Sequence, residues 1–258
     1  MRDFTFATYR RLLETLQAKG YKLISYRDYV THAKAYAHTR FVILRHDIDK
    51  RPENLRPFAH LEHSLGAQGT FYFRASAYPD IIRVPVLLGH EIGYHYEDLD
   101  VCKGDVQKAY AQFQTNLNYF RRFYPVETVC MHGSPTSKYD NRDLWKTYNY
   151  RDLDIIGEPY LDTDFSDVLY LTDTGRCWDG YKVSVRDKVP LMQDEWNRKG
   201  WTWHTTPELI AAIEQGKTPP HILLTFHPQR WATRKLEWAY EYIAQTIKNS
   251  IKKLWLIN

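Results

Sequence analysis

Short apolar runs alternate along the chain with longer segments in which apolar residues recur every three to four positions. The short runs predict strands, and the longer segments predict helices that bury one face. Strands are expected at residues 21–25, 41–44, 70–73, 92–94, 128–131, 168–171 and 222–226, and helices at 4–18, 27–37, 53–65, 80–88, 104–123, 140–148, from 206 onward and at 232–253. This alternation indicates a parallel sheet covered by helices.

Side chains of the kind that bind ligands follow several of the predicted strands, rather than one glycine-rich turn. This distribution favours an α/β barrel of seven or eight mainly parallel strands over an open sheet, because a barrel collects the carboxyl ends of its strands on one face. No internal repeat and no low-complexity linker divides the sequence, so residues 1–258 are expected to form a single domain.

The composition is that of a folded globular protein, with 43% hydrophobic and 26% charged residues. The formal net charge of +4 is too small to indicate a nucleic-acid-binding protein. No run reaches the roughly 18 apolar residues of a membrane-spanning helix, and the first residues lack a secretion signal. We therefore expect a cytoplasmic protein without membrane insertion. The three cysteines contain no Cys-x-x-Cys pair and predict neither a disulfide framework nor a thiolate zinc site.

Four predicted strands end in titratable side chains. Asp47 and Asp49 follow the second strand, and His95, His132 and His227 follow later ones. Because the two aspartates are two residues apart, an extended backbone directs both carboxylates to one side. Their like charges raise each other's pKa unless a cation intervenes, so the pattern predicts a divalent metal, with one carboxylate as ligand and the other as general base. A single aspartate after a strand is equally typical of a helix cap.

Several enzyme classes are disfavoured by missing motifs. The sequence contains neither of the glycine-rich phosphate-binding loops, which argues against nucleotide hydrolysis and dinucleotide redox chemistry. It also lacks the Gly-x-Ser-x-Gly elbow of serine hydrolases. His60 and His63 lie three apart in a predicted helix and are typical of a solvated helix face, because no further ligand follows at metal-binding spacing.

Three segments resemble motifs of the polysaccharide deacetylase superfamily. Residues 89–95, Gly-His-Glu-Ile-Gly-Tyr-His, are similar to that family's Gly-His-Glu-Ile-Gly-Asn-His segment. Residues 42–49 resemble its first motif, an apolar strand ending in Thr-Phe-Asp-Asp, and residues 223–228 resemble its last, Leu-x-His. The resemblance spans about residues 40–230 and implies a distorted (β/α) barrel.

The resemblance also implies a reaction, the hydrolysis of an N-acetyl group with zinc or a similar divalent metal. It implies Asp47 as the general base, Asp49 and His95 as metal ligands and His227 as the general acid. One departure is that Ile48 separates the two aspartates, which are adjacent in the family.

The third metal ligand is the point at which the sequence departs most from the family. A second histidine is expected four residues after His95, where this chain has Leu99. His132 occupies the segment in which the family has an arginine that steadies the base. We expect His132 to be the third ligand, or alternatively to hydrogen-bond Asp47. Other residues that could supply the missing ligand are Glu97, Asp98 and His46.

The expected function is metal-dependent removal of an N-acetyl group from a sugar or glycan precursor, with zinc as the favoured metal. Arg176 and Trp178 follow another predicted strand and are expected to bind substrate at the same rim, where the indole could stack on a sugar; a packed tryptophan is the alternative. Two other functions stay open: a non-catalytic carbohydrate-binding or scaffold protein that lost its metal, and a hydrolase of another C–N or ester bond. The sequence specifies neither the sugar nor the oligomeric state.

Overall fold

The computed structural model describes residues 2–36, 38–134, 136–184 and 186–256. Within these ranges seven strands form one sheet in which every pair of neighbours is parallel. The strands are β1 (Lys22–Ile24), β2 (Phe41–Ile48), β3 (Thr70–Phe73), β4 (Glu91–Tyr96), β5 (Val129–Met131), β6 (Leu169–Thr172) and β7 (His221–Phe226). The prediction of an α/β fold around a parallel sheet is confirmed.

The sheet is a curled half-barrel with β2 near its centre. Its strands follow the order β5, β4, β3, β2, β7, β6, and β1 pairs with β2 outside this path. The described part of the chain shows no pairing between β5 and β6; the intervening residues form short helical turns and a bridge from Thr128 to Gly157. The expected closure into a barrel of seven or eight strands is therefore seen only as a half-barrel.

Helices cover the sheet at positions close to most of the predicted ones. They are α1 (Phe6–Ala18), α2 (Tyr26–His32), α3 (Leu55–Ser64), α4 (Pro79–Leu87), α5 (Asp98–Val101), α6 (Val106–Arg121), α7 (Pro159–Asp162), α8 (Pro190–Arg198), α9 (Thr206–Glu214) and α10 (Lys235–Leu256). The helix expected at 140–148 is instead a 3-10 segment, Asn141–Lys146. The sequence analysis did not predict α8, of which only Trp196 is buried.

The C-terminal helix α10 starts three residues later than expected and lies across one side of the carboxyl edge of the sheet, where its residues line a cavity. No helix in the described ranges is long and apolar enough to cross a membrane.

The central strand β2 extends four residues beyond its predicted end at Leu44, and all eight of its residues are buried. The added residues include Arg45, His46 and Asp47, which are costly to bury without partners. Each finds a charged partner inside the protein, so the strand continues to the edge of the cavity. The polar residues that looked like a loop are thus part of the strand.

Candidate active site

The carboxyl ends of β2, β4, β5 and β7 open into a cavity of about 670 Å³. Its walls include all five of the catalytic and metal-binding residues selected from the sequence: Asp47, Asp49, His95, His132 and His227. They belong to these four strands or follow them directly. Parallel strands end at one edge of a sheet, which is why residues so far apart in sequence meet here.

Alternation along β2 separates two groups of buried polar side chains. Arg45 and Asp47 share one face of the strand and contact each other, while His46 projects to the opposite face. There the Nε2 atom of His46 lies 2.9 Å from Oε1 of Glu62, and its Nδ1 atom lies 3.2 Å from the carbonyl oxygen of Thr70. His46, one of the alternative ligands, is therefore outside the cavity.

Asp47 is held by a guanidinium group from its own strand. Nε and Nη2 of Arg45 donate to the two carboxylate oxygens of Asp47 at 2.9 and 2.7 Å, and both residues are buried. Burial raises the pKa of Asp47, but Arg45 together with the nearby His95 and His227 outweighs it and holds that pKa below its ordinary value. Asp47 is thus ionised, as a general base must be.

Asp49, the residue after β2, lies among three imidazole rings. Its Oδ1 atom is 3.4 Å from Nε2 of His95 and 3.7 Å from Nε2 of His132. Its Oδ2 atom is 3.7 Å from Nε2 of His227. Oδ1 is buried and accepts no hydrogen bond from any described residue. A buried carboxylate oxygen without a donor is costly, and a cation at this point would remove the cost.

Neighbouring groups orient the two histidines so that their Nε2 atoms face the cavity. Nδ1 of His95 donates to the carbonyl oxygen of Cys130 at 2.9 Å, which leaves the lone pair on Nε2. Nδ1 of His132 lies 3.0 Å from Oε2 of Glu97. An imidazole whose second nitrogen is hydrogen-bonded to a carbonyl or carboxylate is the usual arrangement of a metal-binding histidine, and His95 has it. The contact of His132 with Glu97 is an ion-pair distance without hydrogen-bond geometry.

The donor set of Asp49, His95 and His132 fits a catalytic zinc ion, which ordinarily takes three protein ligands from nitrogen and oxygen donors. Ligands about 2.0–2.1 Å from a tetrahedral ion lie roughly 3.4 Å from one another. The distances of 3.4 and 3.7 Å from Asp49 Oδ1 to the two imidazoles are close to that spacing. The three ligand atoms do not all lie within 4.8 Å of one another, so the two imidazoles would have to approach each other to share one ion.

A second set, Asp47, His95 and Cys130, is more compact, with ligand atoms that all lie within 4.8 Å of one another. Its chemistry is less suitable for a metal. Both oxygens of Asp47 already accept from Arg45, and burial raises the pKa of the Cys130 thiol well above its ordinary value. A protonated thiol is not a metal ligand. The Asp49 set is therefore the better candidate.

A glycine, Gly133, directly follows His132 and does not have a positive φ. What requires glycine is a close approach, since a Cβ atom at this position would lie 2.5 Å from Cβ of Arg186. Gly133 thus admits the Arg186 side chain to the cavity wall.

His227 is coupled to a buried carboxylate that the sequence analysis did not select. Nδ1 of His227 lies 2.6 Å from Oδ1 of Asp173, and its backbone N–H donates to Oδ2 at 2.8 Å. Trp231 Nε1 and Arg230 Nη1 also donate to Asp173, at 2.6 and 3.0 Å. Burial and Arg230 lower the pKa of His227, but Asp173 and Asp49 raise it, and the net shift is upward. A protonated His227 is suited to act as a general acid.

Asp173 and Arg45 could have been found from signals in the sequence. Asp173 directly follows β6, as His132 and His227 follow their strands. Arg45 precedes Asp47 by two residues, so strand alternation puts both on one face.

The remaining alternatives for the third ligand differ in position. Glu97 faces Nδ1 of His132, on the side of the ring away from Asp49. Asp98 does not line the cavity. Asp98 is buried and accepts from the Tyr94 hydroxyl at 2.9 and 3.0 Å and from Asn116 Nδ2 at 2.9 Å. Leu99, at the usual histidine position, is buried in the hydrophobic core.

Arg176 and Trp178 are not brought into the cavity. Trp178 is buried among aromatic rings, with its centroid 5.7 Å from that of Phe226, and its Nε1 atom donates to Thr206 Oγ1 at 3.0 Å. Arg176 donates to the carbonyl oxygen of Arg230 at 3.1 Å and lines a separate pocket beside α10. For Trp178 the packed alternative describes the observed environment.

Comparison with known protein families, characterised proteins and solved structures finds no match for this chain.

Proposed function

We propose that this chain is a metal-dependent hydrolase that removes the acetyl group from an N-acetylated sugar or glycan precursor. The observation that carries the proposal is the buried Asp49 carboxylate, whose Oδ1 faces the Nε2 atoms of His95 and His132 beside the ion-paired Asp47. The motif resemblance points to the same reaction. Under this proposal the half-barrel is the motif-bearing part of a distorted (β/α) barrel of the deacetylase type.

Asp49, His95 and His132 would hold the divalent metal, for which zinc is the best suited; when bound, it polarises the amide carbonyl and makes a water molecule more acidic. Asp47 accepts a proton from the water that adds to the carbonyl carbon. His227 donates a proton to the nitrogen as the C–N bond breaks, so the products are acetate and a free amine.

Two further residues position these groups. Arg45 fixes both oxygens of Asp47 and keeps the carboxylate ionised. Asp173 fixes the ring of His227 through Nδ1 and leaves Nε2 directed at the cavity, where it lies 3.7 Å from Asp49. The arrangement supplies a base and an acid whose environments favour opposite protonation states, which hydrolysis of an amide requires.

The cavity suits a polar ligand of the size of a sugar derivative. Its volume of about 670 Å³ lies within the range of small-molecule sites. Its walls include the charged side chains of Lys50, Arg74 and Arg186. The choice of an N-acetyl sugar rests on the motif resemblance and on an aromatic content of 15%.

Acetate release tests the proposal directly. The zinc-loaded protein is incubated with a panel of nucleotide-linked and lipid-linked N-acetyl sugars, and the matched control is Asp47→Asn, which removes the base and leaves the proposed ligands in place. We expect acetate from the unmodified protein and none from the variant. Zinc binding without acetate release would favour another C–N or ester bond, and absence of both would favour a carbohydrate-binding or scaffold protein.

A further inference from the structure

A carboxylate with no role in the reaction so far, Asp187, lies in the cavity wall beside the general acid. Its Oδ2 atom is 3.9 Å from Nε2 of His227, the atom that gives up the proton in the proposed reaction. The Asp187 side chain is 19% exposed. A ligand in the cavity can therefore reach both the imidazole and this carboxylate.

Hydroxyl groups fix the orientation of Asp187. Thr174 Oγ1 donates to Oδ2 at 2.6 Å, and the Tyr160 hydroxyl donates to Oδ1 at 3.1 Å. The Tyr160 hydroxyl in turn accepts from Arg45 Nη2 at 3.3 Å, and the Arg45 guanidinium lies 4.8 Å from the centre of the Tyr160 ring. A carboxylate oxygen can accept two hydrogen bonds, so each oxygen of Asp187 has room for one further donor.

Asp187 also differs from other carboxylates of the cavity wall in its charge partners. Asp47, Glu97 and Glu241 each form an ion pair with an arginine. Asp187 pairs with no lysine or arginine of the described residues, and its one ion-pair contact there is with His227. A fixed carboxylate of this kind is suited to bind an N–H group or a positive charge on a ligand.

We propose that Asp187 accepts a hydrogen bond from the nitrogen of the scissile amide and thereby selects amides over esters. The inference rests on the proposed function, in which His227 protonates that same nitrogen. Because His227 Nε2 and Asp187 Oδ2 are 3.9 Å apart, one nitrogen atom can lie about 2.9 Å from both. The acid and the acceptor thus converge on one point of the cavity.

The chemistry of the leaving group explains the selectivity. The nitrogen takes the proton of His227 while it still carries its own hydrogen, and it becomes positively charged. The C–N bond then breaks, and its electron pair stays on the nitrogen of the departing amine. Asp187 stabilises the positive charge through the N–H group. The corresponding ester oxygen carries no hydrogen, so its lone pairs would face those of the carboxylate, which is repulsive.

Binding of two sugars that differ at one position tests this contact without turnover. Glucosamine carries an amine where 2-deoxyglucose has no donor, and ligand-observed NMR titration of the zinc-loaded protein measures the affinity for each. We expect glucosamine to bind more tightly, and Asp187→Asn should reduce this preference by about 10–100-fold. The matched control is Asp100→Asn, because Asp100 also lines the cavity but is hydrogen-bonded to Ser137 and does not contact His227. It should leave the preference unchanged.

Asp173→Asn distinguishes contact with the amine from an effect on the acid. Asp173 contacts Nδ1 of His227 and does not line the cavity, so this variant weakens the acid but should keep the preference for glucosamine. Circular dichroism establishes that each variant is folded. Tyr160→Phe is a second variant, which removes one donor from Asp187 without changing its charge, and it should lower the preference severalfold.

Loss of the preference in Asp173→Asn as well would show that Asp187 acts only through His227 and would overturn the proposal. Equal affinities of the unmodified protein for the two sugars, or no binding of either, would also overturn it. Acetate release from N-acetylglucosamine and from glucose pentaacetate separates this inference from the proposed function. A protein that releases no acetate but shows an Asp187-dependent preference for glucosamine would contradict the function and support the contact. An amide-to-ester rate ratio that is the same in Asp187→Asn as in the unmodified protein would overturn the selectivity while the function stands.

Discussion

Arg45 and Asp47 lie two residues apart on β2 and form a buried ion pair with two hydrogen bonds, of 2.9 and 2.7 Å. The base and the cation that orients it share one strand, and Tyr160 contacts the same guanidinium group from α7. Arg45 occupies both carboxylate oxygens of Asp47, so His132 is not needed to orient this residue. Its Nε2 atom faces Asp49 instead, at 3.7 Å.

The first prediction concerns the cost of breaking this pair. Arg45→Met leaves the Asp47 charge buried and uncompensated, and should lower the free energy of unfolding by about 3–5 kcal/mol. The double variant Arg45→Met with Asp47→Asn should recover much of that loss, since no charge remains to be compensated. Chemical denaturation measures both. Equal stability of the single and double variants would show that Asp47 does not depend on Arg45.

The second prediction concerns the carboxylate behind His132. Glu97→Gln removes the charge that faces Nδ1 of His132 and should weaken zinc binding by about 10–100-fold, the usual effect of a residue that orients a metal ligand. Asp98→Asn is the control, because Asp98 is the adjacent acidic residue and does not line the cavity. Competition with a chromogenic chelator measures the affinities. Equal affinities for the two variants would remove His132 from the ligand set.

The third prediction treats Asp173 and His227 as one unit. Since Asp173 acts through the His227 ring, Asp173→Asn and His227→Ala should each lower kcat by about 10²–10⁴-fold. The double variant should be no slower than His227→Ala alone, because effects within one unit are not additive. Steady-state kinetics on the best substrate of the acetate-release panel provides the comparison. Multiplicative losses in the double variant would mean that the two residues act independently.

The fourth prediction is a pH dependence of stability from Asp98. Burial raises the pKa of Asp98 to about 6, above its ordinary value of 3.8. Between these pH values the folded protein holds the proton more tightly than the unfolded chain does, so stability falls as the pH rises. The loss from this group is up to about 3 kcal/mol.

Asp98→Asn should flatten this decline between about pH 4 and pH 6, as followed by thermal unfolding at each pH. Asp194→Asn, at an exposed position on α8, is the control and should leave the slope unchanged. An unaltered slope in Asp98→Asn would contradict the assignment.

The strand-end pattern predicted the meeting of the cavity residues because parallel strands end at one edge of the sheet. The same pattern would have included Asp173, which directly follows β6. Hydrophobicity could not reveal that β2 continues through Arg45 and Asp47, since their burial depends on an ion pair between them. Local sequence was likewise insufficient for Trp178, whose neighbours in the core come from distant segments such as Phe4 and Trp231.

The sequence pattern also could not predict that the sheet is an open half-barrel rather than a closed barrel. Alternating strands and helices fit both a closed barrel and a half-barrel, and the difference lies in the segment between β5 and β6. There the chain forms 3-10 turns and the short helix α7 instead of a further paired strand. Periodicity does not distinguish such turns from a helix, which is why residues 140–148 were predicted to be helical.

Calorimetric titration of the metal-free protein with zinc tests whether Asp49, His95 and His132 form a metal site. We expect one ion per chain for the unmodified protein and for Asp47→Asn, and no binding for Asp49→Ala, because Asp49 is a ligand and Asp47 is the base. His132→Ala should likewise lose the ion. Binding that survives in Asp49→Ala but is lost in Asp47→Asn would show that the two aspartates have exchanged roles, and an unmodified protein that takes up no divalent metal would contradict the account altogether.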